Sequence, residues 1–337
     1  MSLIPHILAG DSKLLLPSWK SLHDIPVDEV RRAPADWQPS PWQTTLAHDT
    51  IICGPSTYRR GRLCTLKMSP ATDGWNFQRT DLTGQPLIPV APNSIRSANR
   101  SLVLHSGGQA NYFRMTEHII ALRYGLGLDN LRLTSDSFDP PLFDNGSLPL
   151  VKAVQQAGIE PLPGSPRQFL AVQEPVAIVN PKGGFLLLEP PPDGDKRLTF
   201  DVAVDFPTAI GKQRIQFDLH PDVFAYGAAA RTNCSATDWL LLRTLGVFSS
   251  EYRHIGYTDR NILVAGKHAY RNQPALLHDG KSLEAVWHRA CLDLIAALSL
   301  LSQGWLCGKV TSYKAGHALD AQFVTLLTQQ RLLVAVK

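Results

Sequence analysis

Two neighbouring side chains, Glu117 and His118, stand at the start of a predicted helix and place a carboxylate beside an imidazole. They follow Thr116, a residue type that favours the helix N-cap, and precede an apolar run that can hold the helix against a core. Consecutive helical residues project about 100° apart, so the two side chains point into adjacent sectors of one cavity. A histidine can bind a metal ion there while the carboxylate acts on the metal's water. The plainer interpretation, a glutamate favoured by the helix dipole beside an ordinary histidine, is preferred for this stretch alone.

Further reactive side chains interrupt otherwise packable segments in the second half of the chain. His288, Cys291 and Asp293 lie in the apolar helical pattern EAVWHRACLDLIAALSLL. His317 lies in the predicted loop YKAGHALD, and Thr232 follows an alanine-rich stretch that ends in arginine. These residues are the candidates to complete a site that begins at Glu117.

Composition limits the class of protein. The chain has 337 residues, of which 44% are hydrophobic and 18% charged, enough for a core and for more than one domain. Lys and Arg number 33 against 29 Asp and Glu, a net charge of +4, and no basic run stands out. This pattern does not indicate a nucleic-acid partner. A small-molecule substrate is the expected partner, and the sequence does not set the oligomeric state.

Cysteine usage and hydropathy indicate the compartment. The count of five is odd, and no CxxC motif occurs, which favours a reducing, cytoplasmic location without a disulfide framework. The N-terminus carries no leading positive charge and is not expected to be a signal peptide. No run of about 18 apolar residues occurs, so no transmembrane segment is predicted.

Turn signals divide the chain into three parts. Residues 1–41 are rich in proline and tryptophan and are expected to form an N-terminal extension that packs on the body, with a short helix near 27–32. The PLPGSP stretch at 161–166 is predicted to be a linker between two domains, 42–160 and 167–337. Both parts show strands followed by helices in the same order. The sequence therefore predicts an α+β fold of two tandem domains with similar sheet-plus-helices topology.

At these motifs the chain resembles the UDP-3-O-acyl-N-acetylglucosamine deacetylase family, the zinc amidases of lipid A synthesis. TEHIIALRYGLGLDNL, from Thr116, is similar to the family's TVEHLMAAL-GLGIDN segment, and YKAGHALD, from Tyr313, is similar to FKSGHALN. Shorter matches keep the family's order along the chain: QTTL at Gln43, SPA at Ser69, FQRTDL at Phe77, FDNGS at Phe143, FDLHP at Phe217 and AART at Ala229. The resemblance runs from about Trp42 to the C-terminus.

The resemblance implies an active site in the cleft between the two domains. It implies a Zn²⁺ ion held by His118, His288 and Asp293. It also implies Glu117 as general base, His317 as the acid that protonates the leaving amine, and Thr232 as a donor to the oxyanion. These roles are chemically consistent, because zinc lowers the pKa of water and a nearby carboxylate takes the proton. Three further residues are predicted to contact the substrate: Arg289, Lys314 and Asn233.

The chain departs from the family at three places. The family's H-K-x-L-D motif spaces its ligands four apart, whereas His288 and Asp293 are five apart. Asn233 replaces a phenylalanine. A second aspartate that supports the acid histidine becomes Ala296 or Ala297.

The inserted residue leaves three arrangements open. Residues five apart lie about 140° apart on a regular α-helix, so His288 and Asp293 share one ion only if a π-bulge absorbs the extra residue. The second arrangement is a metal-free helix in which Arg289 pairs with Asp293. The third is a zinc site made by His118, His288 and Cys291. We expect the bulged site with His288 and Asp293.

The sequence thus predicts a zinc-dependent amidase that hydrolyses an N-acyl group, most simply acetyl, of a small or amphipathic substrate. The alternative is a catalytically silent, metal-free relative that binds a ligand or partner in the same cleft. Intact Glu117, His118 and His317 favour the enzyme, and the altered HRACLD segment favours the alternative.

Overall fold

A computed structural model of the protein describes residues 5–248, 254–302 and 304–336. Its α-helices are Leu15–His23, Glu117–Gly125, Leu148–Ala157, Pro221–Gly227, Ala236–Thr244, Glu284–His288, Ile295–Leu298 and His317–Gln329. A π-helical segment, Arg289–Leu294, joins the sixth and seventh of these. No helix in the described part is both long and apolar enough to cross a membrane.

A five-stranded sheet forms the first half. Its strands lie in the order Thr50–Pro55, Leu63–Ser69, Leu131–Ser135, Trp75–Arg79 and Ile88–Pro89. The middle strand is antiparallel to the second and parallel to the fourth. A parallel neighbour needs a crossover connection, and the chain between Trp75–Arg79 and Leu131–Ser135 contains the helix that begins at Glu117.

A seven-stranded sheet forms the second half, and its inner five strands repeat this topology. Those five are Val176–Val179, Phe185–Glu189, Gly308–Tyr313, Leu198–Asp205 and Lys212–Asp218, in spatial order. Again the middle strand is antiparallel on one side and parallel on the other, and again the crossover carries the site helix, here Glu284–Leu298. The predicted α+β fold of two similar halves is confirmed.

The N-terminal segment supplies both edges of the second sheet. His6–Ala9 lies parallel to Val176–Val179, and Glu29–Arg31 lies parallel to Lys212–Asp218. Between them, the helix Leu15–His23 packs on the outer face of the sheet. The domain limits predicted from the sequence remain a prediction. The structure shows in addition that the N-terminal segment contributes two strands to the second sheet.

Smaller sheets complete the described part. Three of them are two-stranded: Trp42–Leu46 with Ile159–Pro166, Thr232–Ser235 with Ile262–Ala265, and Leu277–His278 with Lys281–Ser282. Two are three-stranded. Val103–His105 lies between Tyr112–Arg114 and Ile95–Ser97, and Phe169–Ala171 lies between Trp305–Leu306 and Val334–Ala335.

Two local predictions were wrong. Residues 29–31 of the span predicted as a helix form an edge strand, and the helix lies earlier, at Leu15–His23. Pro17 sits in the first turn of that helix, where its missing N–H has no intrahelical acceptor. The PLPGSP linker is part of the strand Ile159–Pro166, whose register is interrupted between Pro161 and Pro166. Proline is tolerated in such irregular edge pairing.

The two crossover helices bring the halves together. Helix Glu117–Gly125 packs against Ile295–Leu298 in one continuous apolar core. Gly125 allows a close approach to the helix Pro221–Gly227, because a Cβ there would lie 2.3 Å from the ring of Phe224. The N-terminal end of the first crossover helix is thereby fixed beside the π-helical segment of the second.

Candidate active site

The turn before Glu117 holds its carboxylate in place. Met115 has a φ of 53°, an uncommon backbone conformation for a residue other than glycine. Thr116 occupies the N-cap position, but its hydroxyl donates to the carbonyl of Leu102 (3.2 Å) instead of capping the helix. The Leu102 amide in turn donates to Glu117 Oε2 at 3.0 Å. Glu117 is only 3% exposed, and this burial raises the pKa of its carboxyl, which makes it a stronger base than a free glutamate.

His118 turns one ring nitrogen to a hydroxyl. Its Nδ1 lies 3.2 Å from Ser147 Oγ, at the start of the helix Leu148–Ala157. Its ring centroid lies 5.6 Å from that of His288, across the junction of the two halves. Burial, followed by the neighbouring His288, lowers the pKa of His118 to about 3. The ring is therefore neutral near pH 7, the state in which an imidazole binds a metal ion.

The extra residue of the second crossover helix is absorbed by a π-bulge. The α-helix ends at His288, and Arg289–Leu294 is π-helical before the α-helix resumes. As a result, His288 Nδ1 lies 3.5 Å from Asp293 Oδ1, although the two residues are five apart. The other ring nitrogen, Nε2, lies 3.1 Å from Thr232 Oγ1. The bulge predicted from the sequence is confirmed.

His317, at the start of the helix His317–Gln329, lies near the same carboxylate. Its Nε2 lies 3.5 Å from Asp293 Oδ1, an atom that is buried and has no hydrogen-bond partner among the described residues. Burial lowers the pKa of His317, but the carboxylates Asp293, Glu117 and Asp320 outweigh it, and the pKa is raised overall. Burial likewise raises the pKa of Asp293, but His317, His288 and Arg289 outweigh it and hold the carboxyl ionised.

These side chains fit a zinc ion. His118 and His288 each have one nitrogen at a hydroxyl, which is the usual arrangement of zinc-binding histidines, and the other nitrogen of His288 faces Asp293. Zinc bonds of 2.0–2.1 Å place tetrahedral ligand atoms about 3.3 Å apart, close to the 3.5 Å between His288 Nδ1 and Asp293 Oδ1. Asp293 Oδ1, which has no hydrogen-bond partner among the described residues, would be the third ligand atom. Among the described residues, no group of three histidine, cysteine, aspartate or glutamate side chains is already arranged to hold a metal ion. Zinc binding would therefore require these side chains to adjust.

The other two arrangements are not supported by the contacts. Arg289 does not pair with Asp293; its Nη1 and Nη2 donate to Asp320 at 2.7 and 2.6 Å, and Nη2 also donates to Ser312. Cys291 is fully buried, with its sulfur 2.4 Å from where a Cβ on Gly227 would lie. Burial raises the pKa of this thiol, whereas zinc requires a thiolate.

The predicted substrate contacts are less well defined. Lys314, whose φ is 48°, places its ammonium 3.4 Å from Asp205, and Arg289 is occupied by Asp320. Asn233 lies in the half-buried strand Thr232–Ser235, next to Thr232. The roles of these three residues in substrate binding remain predictions.

Four residues near the site were not singled out from the sequence. Ser147 ends the FDNGS motif, so its place before a helix could have been noticed. Asp320 follows His317 by three residues and lies on the same helix. Tyr58 and Tyr257 lie close enough to Glu117 for its charge to raise their pKa, after burial, and Tyr257 shares a hydrogen bond with Thr232. No motif marks either tyrosine.

Comparison with known proteins agrees with the resemblance found in the sequence. The family model for UDP-3-O-acyl N-acetylglycosamine deacetylase matches residues 43–329. The chain is 31% identical over 272 residues to the UDP-3-O-acyl-N-acetylglucosamine deacetylase of Thermosynechococcus vestitus, covering 80% of this chain and 87% of that protein. It is 29% identical over 258 residues to the enzyme of the same name from Solibacter usitatus, covering 76% and 80%.

Fold, site and comparisons define an enzyme of the deacetylase class, an N-acyl hydrolase. The chain belongs to the UDP-3-O-acyl N-acetylglycosamine deacetylase family.

Proposed function

We propose that this enzyme is a zinc-dependent deacetylase that hydrolyses the N-acetyl amide of a 3-O-acylated, UDP-linked glucosamine. The observation that carries the proposal is the convergence of His118, His288, Asp293 and His317 at one buried point beside Glu117. The identity of the substrate is inferred from the names of the related enzymes. A cytoplasmic location is inferred from cysteine usage; all five cysteines are free thiols.

His118, His288 and Asp293 would hold the metal. Zinc held there would supply a water of lowered pKa and a positive charge to polarise the amide carbonyl. The hydroxyls of Ser147 and Thr232 keep the two imidazoles oriented, and the positive charges of His317 and Arg289 keep Asp293 ionised.

Glu117 takes the proton from the attacking water. Its burial raises its pKa, so the carboxylate accepts a proton more readily than an exposed glutamate does. The Leu102 amide donates to Oε2 and holds the carboxylate in place for this proton transfer.

His317 then delivers a proton to the departing nitrogen. Its raised pKa favours the protonated form, which a general acid needs. The same positive charge, with the hydroxyl of Thr232, stabilises the negative charge that develops on the carbonyl oxygen. Thr232 accepts from one side and donates from the other, because a hydroxyl can accept a hydrogen bond from His288 while it donates its own proton.

Metal analysis and turnover of matched substrates test the proposal. Protein purified without chelator should contain about one zinc per chain. It should release acetate from UDP-3-O-acyl-N-acetylglucosamine faster than from UDP-N-acetylglucosamine. Equal rates on the two would contradict the acylated substrate while leaving the deacetylase intact. Finding neither zinc nor amide hydrolysis would instead support the silent, ligand-binding alternative.

A further inference from the structure

A second cavity, of about 580 Å³, lies between the two halves, away from the catalytic residues. It opens where the crossover helix Glu117–Gly125 ends, whereas the catalytic carboxylate stands where that helix begins. With a rise of about 1.5 Å per residue, six residues separate Arg123 from Glu117 by roughly 9 Å along the helix. Its polar lining comes from both halves: Gln43, Asn93 and Asn130 from the first, Arg167, Gln168 and Ser302 from the second.

The charges around this cavity do not balance. Asp129 accepts from Arg167 at 2.6 Å, and Asp73 accepts from Arg132 at 2.9 Å, so both acidic side chains of the lining have a basic partner. Arg123 also lines the cavity, and among the described residues no carboxylate forms an ion pair with it. One positive charge is left over.

Arg123 lines the cavity, and within the described residues only its Nη1 makes hydrogen bonds. It is 6% exposed, and its Nη1 donates to the carbonyls of Ser299 and Leu301, both at 2.6 Å. Those bonds cap the end of the helix Ile295–Leu298 and account for one nitrogen of the guanidinium. Nε and Nη2 have no acceptor in the part of the chain that the structure describes. Asp129 is close enough for its charge to act on Arg123, but Asp129 is already paired with Arg167, so the costly burial of the Arg123 charge is only partly offset.

We propose that this cavity binds a small hydrophilic anion, whose phosphate or carboxylate pairs with Arg123. A guanidinium offers parallel N–H donors that match either group in a bidentate manner. At the rim, the amide side chains of Asn93 and Gln168 make no hydrogen bond within the described residues and are available to the rest of the ligand.

The position of Arg123 connects such a ligand to both halves. Its backbone belongs to the crossover helix that carries Glu117 and His118, and its Nη1 holds the end of the helix that carries His288 and Asp293. An anion bound here therefore joins the two elements whose other ends form the active site.

Calorimetric titration of the full-length protein with inorganic phosphate and, separately, with citrate tests the site and distinguishes the two chemistries. At least one should bind saturably at one site. Arg123→Gln should weaken binding about tenfold or more, since a hydrogen bond to a charged group contributes about 1.5–3 kcal/mol. Arg62→Gln, which removes an exposed arginine outside the lining, should leave it unchanged.

Because Arg123→Gln also removes a helix cap, a second variant keeps the test decisive. Asn93→Asp adds a negative charge at the rim without removing any hydrogen bond of the described fold, and it should weaken binding, whereas Asn99→Asp, outside the cavity, should not. Absence of saturable binding to the wild type, or binding unchanged in both Arg123→Gln and Asn93→Asp, overturns the proposal. Binding that is lost in His317→Ala but kept in Asn93→Asp would place the anion in the active site and overturn it as well.

Discussion

Arg289 and Asp320 form a buried bidentate ion pair, with Nη1–Oδ2 at 2.7 Å and Nη2–Oδ1 at 2.6 Å. Neither side chain is more than 6% exposed. Asp320 lies one helical turn after His317 and also raises the pKa of that histidine. Asp320 thus joins Asp293 and Glu117 as a carboxylate that raises the pKa of His317, and Arg289 holds it in place.

This pair should be important for stability. Arg289→Met leaves Asp320 buried without a counter-charge, and we expect a loss of about 3–5 kcal/mol in the free energy of unfolding, measured by urea denaturation. The double variant Arg289→Met/Asp320→Leu, which removes both charges, should recover most of the loss. A loss below about 1 kcal/mol in the single variant would mean that the pair is not effectively desolvated.

Replacing the base should separate chemistry from binding. Glu117→Gln keeps the shape of the side chain and can still accept the hydrogen bond of the Leu102 amide. We expect the metal content and melting temperature to stay near those of the wild type, while kcat falls by a factor on the order of 10² or more. Retention of full activity would show that another group takes the proton from water.

The pH profile should identify the acid. A base that must be deprotonated and an acid that must be protonated give a bell-shaped dependence of rate on pH. Glu117 governs the rising limb, at a pH above the ordinary glutamate pKa, since burial raises its pKa. His317 governs the falling limb, above the ordinary histidine pKa, since nearby carboxylates raise its pKa. His317→Ala should lower the rate and remove the falling limb; a bell that persists would assign the acid to another residue.

Metal binding should depend on both halves. His118→Ala and His288→Ala should each lose the zinc, measured by elemental analysis, and a chelator should lower the melting temperature of the wild type through linkage. Cys291→Ala serves as the control, because that thiol is buried against Gly227 and should not affect zinc content. Zinc lost with Cys291 but kept without Asp293 would assign the third ligand to the thiol.

The fold was predictable because its signals are local. Repeated strand and helix patterns in 42–160 and 167–337 indicated two similar halves, and the sheets confirm it. The structure of the N-terminal extension was not predictable. Its strands His6–Ala9 and Glu29–Arg31 pair with strands about 170 to 190 residues away, and their own sequences carry no signal of that pairing. The sequence also could not predict which partner an individual side chain contacts.

Arg289 illustrates that last limit. Sequence spacing alone allowed a pair with Asp293, four residues on, and gave no reason to choose Asp320, which is 31 residues away. The π-bulge decides between them, because it turns Asp293 toward His288 and His317. The site residues came from motif and helix geometry, while Tyr58 and Tyr257 approach from segments without a motif.

Deletion of the inserted residue tests the bulge itself. A π-bulge absorbs one extra residue without rotating the helix on either side, so deleting Ala290 should convert Arg289–Leu294 to regular α-helix and leave its flanks in register. His288 and Asp293 would then be four apart in sequence and still share a face. We expect this variant to fold and to keep about one zinc per chain. Deleting Ala296, in the regular helix Ile295–Leu298, is the matched control: it rotates the following buried residues by about 100° and should cause a much larger loss of melting temperature. A deletion of Ala290 that abolishes zinc binding while the protein stays folded would show that the wider turn, and not merely the shared face, positions the two ligands.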